Sequence, residues 1–203
     1  MARLKQELSL ELTELNLGGG YGIRYIQSHD PVEYGDYIAR VARTVRRVCA
    51  KKGIYVPKIL MEPGRSIAGP AGLTLYTVGS VKEIAGVRTY VSVDGGMGDN
   101  PRYALYRSPY DIVVANKASK AKTRKVTVAG RNCESGDLLQ EHIMLQDTRQ
   151  GDILAVLATG AYNYSMASNY NRVPRPPVVF VSGGSDRLVV RRESYEDLVR
   201  NDL

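Results

Sequence analysis

Hydrophobic residues in the first quarter of the chain recur with two different periods, one typical of a strand and one typical of a helix. Apolar and polar side chains alternate through residues 8–12 and again through 15–17, which is the pattern of a strand. The glycine-rich run at 18–22 follows directly and predicts a sharp loop at the strand end. From residue 34 to residue 48, apolar positions recur every three or four residues, which predicts an amphipathic helix.

Capping residues place the ends of this helix. Asp30 is suited to be its N-cap, Pro31 its first residue, and Gly53 its terminator. Residues 54–61 then predict a second strand, which ends in Glu62-Pro63-Gly64-Arg65. Strand, glycine loop, helix and strand in this order indicate an α/β barrel or a doubly wound sheet.

The pattern changes near residue 70. Short β-rich runs follow one another, separated by Gly, Asp, Asn and Pro, with no helix predicted between them. These runs cover residues 73–84, 89–93, 112–115, 125–128, 153–157 and 177–181. They predict an antiparallel β-sandwich or barrel, closed by a short helix at 194–199 that begins with a Ser-x-x-Asp cap pattern. We therefore divide the chain into an α/β region, 1–70, and a β domain with a terminal helix, 71–203.

Composition narrows the functional classes. The net charge of +7 is concentrated in residues 40–52 and 117–125 and suits nucleic acid, anionic membranes, or an enzyme for phosphates and carboxylates. Neither basic run has interleaved aromatics or a nucleic-acid-binding motif, so a solvated face is the simpler interpretation. No apolar run is long enough to cross a bilayer, and the N-terminus lacks the core of a signal peptide, which makes the cytoplasm the expected setting. Two distant cysteines predict neither a disulfide framework nor a metal site.

Two loops at consecutive strand ends are candidates for binding an anion. The amides of Gly18, Gly19 and Gly20 can approach phosphate oxygens, although a tight turn without a ligand explains the glycines equally well. Arg65, in Glu62-Pro63-Gly64-Arg65, could reach the same anion or form a surface salt bridge. The occurrence of both loops together favours a shared anion site.

Three later segments carry further candidates. Arg102 and Tyr106 could jointly hold a carboxylate, or could belong to an exposed hairpin. Cys133 stands beside Glu134 in a glycine-flanked polar loop, where a thiol could act as a general acid. Residues 160–171 concentrate tyrosines and asparagines, Tyr162 among them. Cys49, on the predicted helix, is expected to be core.

Five phrases, in this order, resemble the C-terminal half of the diaminopimelate decarboxylases: LNLGGGYGI, EPGRSIAGPAG, DGGMGDNPRYALY, GRNCESGD and GAYNYSMASNYN. The resemblance implies the C-terminal part of a (β/α)8 barrel that binds pyridoxal 5'-phosphate, followed by a β domain. It implies a homodimer with shared active sites, and decarboxylation of meso-diaminopimelate to L-lysine, the last step of lysine synthesis. It implies no nucleic-acid, membrane or metal partner.

The resemblance also assigns roles to individual residues. Gly18, Gly19, Gly20, Glu62, Pro63, Gly64, Arg65 and Tyr162 would bind the cofactor. Arg65, Arg102, Tyr106, Glu134 and Tyr162 would bind the substrate. Cys133 would be the proton donor, reaching in from the partner subunit.

One feature of that family is not found in the sequence. The lysine that holds the cofactor lies in the family's N-terminal half, in a Tyr-x-x-Lys-Ala-Asn type of motif, and Lys117 in the β domain is no substitute. The expectation is therefore a catalytic half that needs the other half of the barrel. The alternatives are an inactive truncated chain that pairs with full-length subunits, and a basic nucleic-acid-binding module.

Overall fold

Fifteen helices and strands make up the protein, for which a computed structural model describes residues 1–203. The helices are α1 (Ala2–Leu8), α2 (Tyr34–Lys52), α3 (Gly64–Ala68), α4 (Arg102–Tyr106) and α5 (Tyr195–Val199). The strands are β1 (Glu14–Asn16), β2 (Lys58–Leu60), β3 (Leu73–Ile84), β4 (Arg88–Val93), β5 (Ile112–Val114), β6 (Arg124–Ala129), β7 (Leu138–Leu145), β8 (Ile153–Leu157), β9 (Val178–Ser182) and β10 (Ser185–Val190). No helix has both the length and the apolar character needed to span a membrane.

A six-stranded sheet forms the centre of the molecule, in the order β5-β8-β3-β4-β6-β7. Its edge strands approach each other, and two buried glutamines bridge the gap between them. The side chain of Gln146 accepts a hydrogen bond from the amide of Val114 at 3.0 Å, and Gln140 accepts one from Tyr110 at 3.2 Å. These side-chain carbonyls satisfy amides that no neighbouring strand pairs. The sheet is therefore a nearly closed barrel.

The barrel interior is apolar and well buried. Val78, Val91, Val114, Val128 and Leu154 are each at most 1% exposed. Burial of each such side chain stabilises the fold by about 1.5–3 kcal/mol. The prediction of α/β structure followed by a β domain is confirmed. The purely antiparallel arrangement is wrong, because β4 and β6 pair in parallel after residues 94–123 carry the chain across the barrel.

The α/β region contains fewer residues in strands than its sequence predicts. β1 and β2 form a parallel pair of three residues each, so the strand pattern predicted over 8–12 and 15–17, and the strand predicted over 54–61, are present only in part. Residues 8–12 are not a strand: Leu8 belongs to α1, and no strand lies beside the alternating leucines to pair with them. An alternating pattern needs a pairing partner before it becomes a ladder.

The long helix α2 also differs from the prediction at one end. It begins at Tyr34 with Glu33 as N-cap, so Asp30 and Pro31 precede it. It ends as predicted at Gly53, whose φ of +62° suits glycine. Its apolar face, which includes Tyr34 and Ile38, is largely exposed, whereas Cys49 is buried as expected.

The short helices α1, α3 and α4 and the strands β7 and β10 were not predicted. Helices of five residues are too short to show a helical period, and β7 carries the polar run Gln140-Glu141-His142. The terminal helix was predicted correctly. Ser194 caps α5 with a capping box to Asp197.

The carboxylate of Glu193 ties the hairpin β9–β10 and α5 to the preceding chain, in addition to the ion pair of Arg172 with Asp202 at 2.9 Å. Glu193 accepts hydrogen bonds from the guanidinium of Arg175 at 2.6 and 2.8 Å, from the Arg175 amide at 2.8 Å, and from the side chain of Asn169 at 2.6 Å. The Arg175 guanidinium lowers the pKa of Glu193 to about 2. A two-stranded hairpin is marginal by itself, so this junction fixes its position.

We expect the C-terminal region to loosen in acid. Because the pKa of Glu193 is lowered in the folded chain, its contribution to stability is complete above the ordinary value of 4.5 and is lost as the pH falls toward 2. Hydrogen exchange should show residues 169–199 losing protection in that range before the barrel strands do. Glu193→Gln should reduce protection already at pH 7, whereas Glu33→Gln, at a side chain without hydrogen bonds, should not. Equal protection of Glu193→Gln and the unmodified chain at pH 7 would contradict the assignment.

Candidate active site

The two glycine-containing loops lie side by side, because they follow the parallel strands β1 and β2. The amide of Glu62 donates to the carbonyl of Gly18 at 2.8 Å, and the side chain of Asn16 donates to the Glu62 carboxylate at 2.7 Å. A Cβ on Gly19 would lie 2.3 Å from the Glu62 carbonyl oxygen. Only glycine permits this approach of the two loops.

The backbone of the first loop presents free donors. The amides of Gly19 and Gly20 donate no hydrogen bond within the chain, and Gly20 has a φ of +85°. At the adjoining loop, the amide of Gly64 donates to the carbonyl of Glu62 at 2.9 Å, whereas the amide of Arg65, in the first turn of α3, donates no hydrogen bond within the chain. Grouped amides of this kind form a cradle for a phosphate or carboxylate.

Two arginines converge on one tyrosine ring next to this cradle. The guanidinium carbon of Arg65, from α3, lies 5.4 Å from the centroid of the Tyr162 ring. That of Arg102, from the start of α4, lies 5.3 Å from the same centroid. Elements that are far apart in sequence thus bring together Arg65, Arg102 and Tyr162, which the family resemblance assigned to one site.

Neither arginine has a carboxylate partner. Arg65 and Arg102 form no ion pair. The Nε atom of each is buried and has no hydrogen-bond acceptor. The only side-chain hydrogen bond of Arg102 goes to the hydroxyl of Ser108 at 3.3 Å. Aromatic rings surround its guanidinium instead, with Tyr25 at 5.5 Å and Tyr106 at 5.8 Å. Two uncompensated cations beside an amide cradle constitute a site for an anion with more than one negative charge.

Tyr162 is held in a strained backbone conformation. Its φ is +67°, a region that aromatic residues avoid at a cost of about 1–3 kcal/mol. The residue is 40% exposed, and its ring faces the two guanidiniums. Such strain is concentrated at binding and catalytic sites.

A glycine contact holds the Tyr162 segment against the α/β region. Gly160 donates its amide to Gly69 at 3.1 Å, and Thr159 donates to Gly72 at 2.9 Å. A Cβ on Gly160 would lie 1.9 Å from the carbonyl oxygen of Ala68. The two backbones therefore touch directly where Arg65 and Tyr162 meet.

Cys133 and Glu134 lie on a second, separate loop. Cys133 is exposed, and its amide donates to the side chain of Asn171 at 2.8 Å. The Glu134 carboxylate accepts from the hydroxyl of Tyr170 at 3.2 Å, which raises the pKa of that phenol. No hydrogen bond or ion pair connects this loop with Arg65 or Arg102, so the chain presents two partial sites.

Buried side chains that the sequence did not single out support the Cys133 loop and the loop that precedes Arg102. Asp137 accepts from the amides of Met97 and Asn132, each at 2.6 Å, and so fixes the shape of the Cys133 loop. Tyr76 donates to Asp99, whose pKa is raised by burial. The one available signal was an aspartate adjoining glycine in both motifs, which is typical of an Asx-stabilised turn. The burial of these carboxylates could not be read from the sequence.

The chain's residues fit pyridoxal 5'-phosphate. The glycine cradle and the two unpaired arginines supply donors for its phosphate and for a carboxylate on a bound amino acid, and Tyr162 supplies a ring beside them. A groove of about 490 Å³ elsewhere, between residues 26–28 and strands β5 and β7, contains none of the predicted site residues.

Comparison with known proteins agrees with these features. The model of the family "Pyridoxal-dependent decarboxylase, C-terminal sheet domain" matches residues 25–160. A diaminopimelate decarboxylase of Bacillus subtilis is 53% identical over 189 residues, which are 93% of this chain and 43% of that protein. One from Synechocystis is 49% identical over 95% of this chain and 41% of its own length. The chain thus spans less than half the length of these curated relatives.

A solved structure has the same fold. The crystal structure of a diaminopimelate decarboxylase from M. jannaschii, in complex with L-lysine, superposes with a TM-score of 0.90 at 35% identity. The match covers all of this chain and 45% of that one. The resemblance inferred from the five sequence phrases is confirmed, and the chain belongs to the pyridoxal-dependent decarboxylases, whose C-terminal sheet domain it contains.

Proposed function

We propose that this chain provides the phosphate- and carboxylate-binding part of a decarboxylase that converts meso-diaminopimelate to L-lysine and CO2. The observation that carries the proposal is the convergence of unpaired Arg65 and Arg102 on Tyr162, beside the glycine cradle. The family membership and the names of the relatives support the reaction type and the substrate.

Each residue in the anion site has a distinct task in this proposal. The loops Gly18–Gly20 and Glu62–Arg65 hold the cofactor phosphate, through the amides of Gly19, Gly20 and Arg65 that donate no hydrogen bond within the chain. Arg102 and Tyr106, together with Arg65, hold the carboxylate of the substrate that is not released, and Tyr162 orients cofactor and substrate. The bound cofactor supplies an electron sink for the bond pair left when CO2 departs.

The second loop completes the reaction. Cys133 holds the proton that returns to the carbon from which CO2 has left, and Glu134 holds the ammonium group at the far end of the substrate. Because no hydrogen bond or ion pair joins the Cys133 loop to Arg65 or Arg102 of its own chain, we infer that it serves the site of a second copy in a homodimer. The site then selects a substrate with charged groups at both ends, because each end pairs with an oppositely charged side chain. Shorter amino acids cannot form both pairs and are discriminated against.

A chimera tests this function. In it, the chain replaces the matching segment of the Bacillus subtilis diaminopimelate decarboxylase, which then supplies the remainder of the protein. We expect release of CO2 from meso-diaminopimelate, and lysine as product, with ornithine and arginine turned over poorly.

The outcome separates the alternatives. A soluble chimera that binds pyridoxal 5'-phosphate but releases no CO2 would contradict the proposed activity and would favour a noncatalytic partner of full-length subunits. Salt-sensitive retention of the chain on DNA or RNA would instead favour the basic-module alternative.

A further inference from the structure

A short hydrogen-bonded chain of two buried amides and one buried phenol lies beneath the anion site. Asn163, 3% exposed, donates its Nδ2 to the Oδ1 of Asn100 at 2.5 Å. The hydroxyl of Tyr110 donates to the Oδ1 of Asn163 at 3.4 Å. Asn100 and Tyr110 are each 1% exposed, so these groups are withdrawn from solvent. Hydrogen bonds of buried polar groups are costly to break, because the freed group cannot turn to water.

Asn163 connects the two residues that define the site. It directly follows Tyr162, whose φ of +67° requires an external restraint. Its partner Asn100 lies two residues before Arg102, at the entry to α4. A single amide side chain therefore ties the segment of Tyr162 to the segment of Arg102.

The link is electrically neutral. Burial raises the pKa of Tyr110, which keeps its phenol protonated and able to donate. An amide offers a donor to Asn100 and an acceptor to Tyr110 without adding charge. A carboxylate at this position would compete with a bound anion for the nearby Arg102 guanidinium.

We propose that Asn163 is a positioning residue, which holds the Tyr162 ring and the Arg102 guanidinium in the relation needed to bind the substrate carboxylate. The proposal rests on the proposed function for the identity of the anion, but its geometric part concerns this chain alone. Two variants separate shape from charge. Asn163→Leu removes both hydrogen bonds, whereas Asn163→Asp keeps the shape, loses the donor and adds a negative charge.

The first measurement uses the chain itself. Tyrosine ring 1H–13C spectra report the surroundings of Tyr162, whose signal is identified by its loss in Tyr162→Phe. We expect this signal to shift or broaden in Asn163→Leu, and to stay in place in Asn201→Leu, the same change at an exposed amide without hydrogen bonds. An unmoved Tyr162 signal in folded Asn163→Leu would overturn the proposal, whatever the enzymatic result.

The second measurement uses the active chimera. We expect both Asn163 variants to raise the KM for meso-diaminopimelate at least tenfold, while kcat changes less than threefold and Asn201→Leu leaves both unchanged. The double variant Asn100→Leu/Asn163→Leu should be no worse than the poorer single variant, since both members act through one link. A KM equal to that of Asn201→Leu, or a loss confined to kcat, would overturn the proposal. Failure of the proposed function is distinguishable, because the unmodified chimera would then be inactive while the spectra still report on Tyr162.

Discussion

Arg102→Leu should lower kcat/KM for meso-diaminopimelate in the chimera by roughly a hundredfold to a thousandfold. The guanidinium has no carboxylate partner within the chain, so its charge is free for the substrate. Loss of a charge-assisted contact in a partly buried site costs about 3–4 kcal/mol, which corresponds to that factor. Arg102→Lys should recover only part of the activity, because an ammonium lacks the planar fork that matches a carboxylate.

Stability distinguishes this effect from general damage. Since Arg102 is an uncompensated cation surrounded by Tyr25, Tyr106 and Tyr162, its removal loses cation–π contacts but relieves an unpaired charge. The thermal midpoint of the Arg102→Leu chain should therefore stay within a few degrees of the unmodified chain. Arg192→Leu, at an exposed side chain without hydrogen bonds, should change neither activity nor stability. Full activity in Arg102→Leu would exclude Arg102 from the site.

Gly160→Ala should destabilise the chain by about 3 kcal/mol or more, and lower its thermal midpoint by roughly 6–12 °C. The added Cβ would lie 1.9 Å from the Ala68 carbonyl oxygen, and backbone also lies close on the other side, at Gly72. Neither neighbour is a flexible side chain that could move away. The Tyr162 segment must then separate from α3, which would also weaken binding of pyridoxal 5'-phosphate. Calorimetry of the chain and cofactor titration of the chimera measure the two effects.

The matched control is Gly35→Ala on α2. A Cβ there meets nothing within 4 Å, and alanine favours helix more than glycine does. This variant should be unchanged or slightly more stable. If Gly160→Ala unfolds at the same temperature as Gly35→Ala, the two backbones are not in contact where the structure places them.

Some of the fold could be predicted from local pattern alone. β3 and β8 occupy the predicted ranges because their apolar runs are bounded by turn residues, and α2 ends at Gly53 for the same local reason. The prediction was wrong at 8–12, where alternating leucines found no partner strand. It also missed β7, whose polar residues 140–142 hid the strand pattern. Local patterns fail where a neighbour from elsewhere in the chain decides the outcome.

The candidate site shows the same division. Motif resemblance selected Arg65, Arg102, Tyr106 and Tyr162, and the structure brings these side chains together. Their roles as ligands, and that of Cys133 as proton donor, remain predictions. The supporting residues Asn100, Asn163 and Asp137 were missed, because a buried amide or carboxylate has the same letters as an exposed one.

The amino-acid sequence by itself determined which residue types this chain offers: glycines for close backbone approach, arginines for anions, and a thiol beside a carboxylate. The tertiary structure decided which of them meet. Parallel pairing of β1 with β2 brings the loops at 18–22 and 62–65 together. The backbone contact at Gly160 places Tyr162 next to Arg65. The tertiary structure also leaves Arg65 and Arg102 without a carboxylate partner. Charge compensation depends on the distances between residues remote in sequence, and only the folded chain fixes those distances.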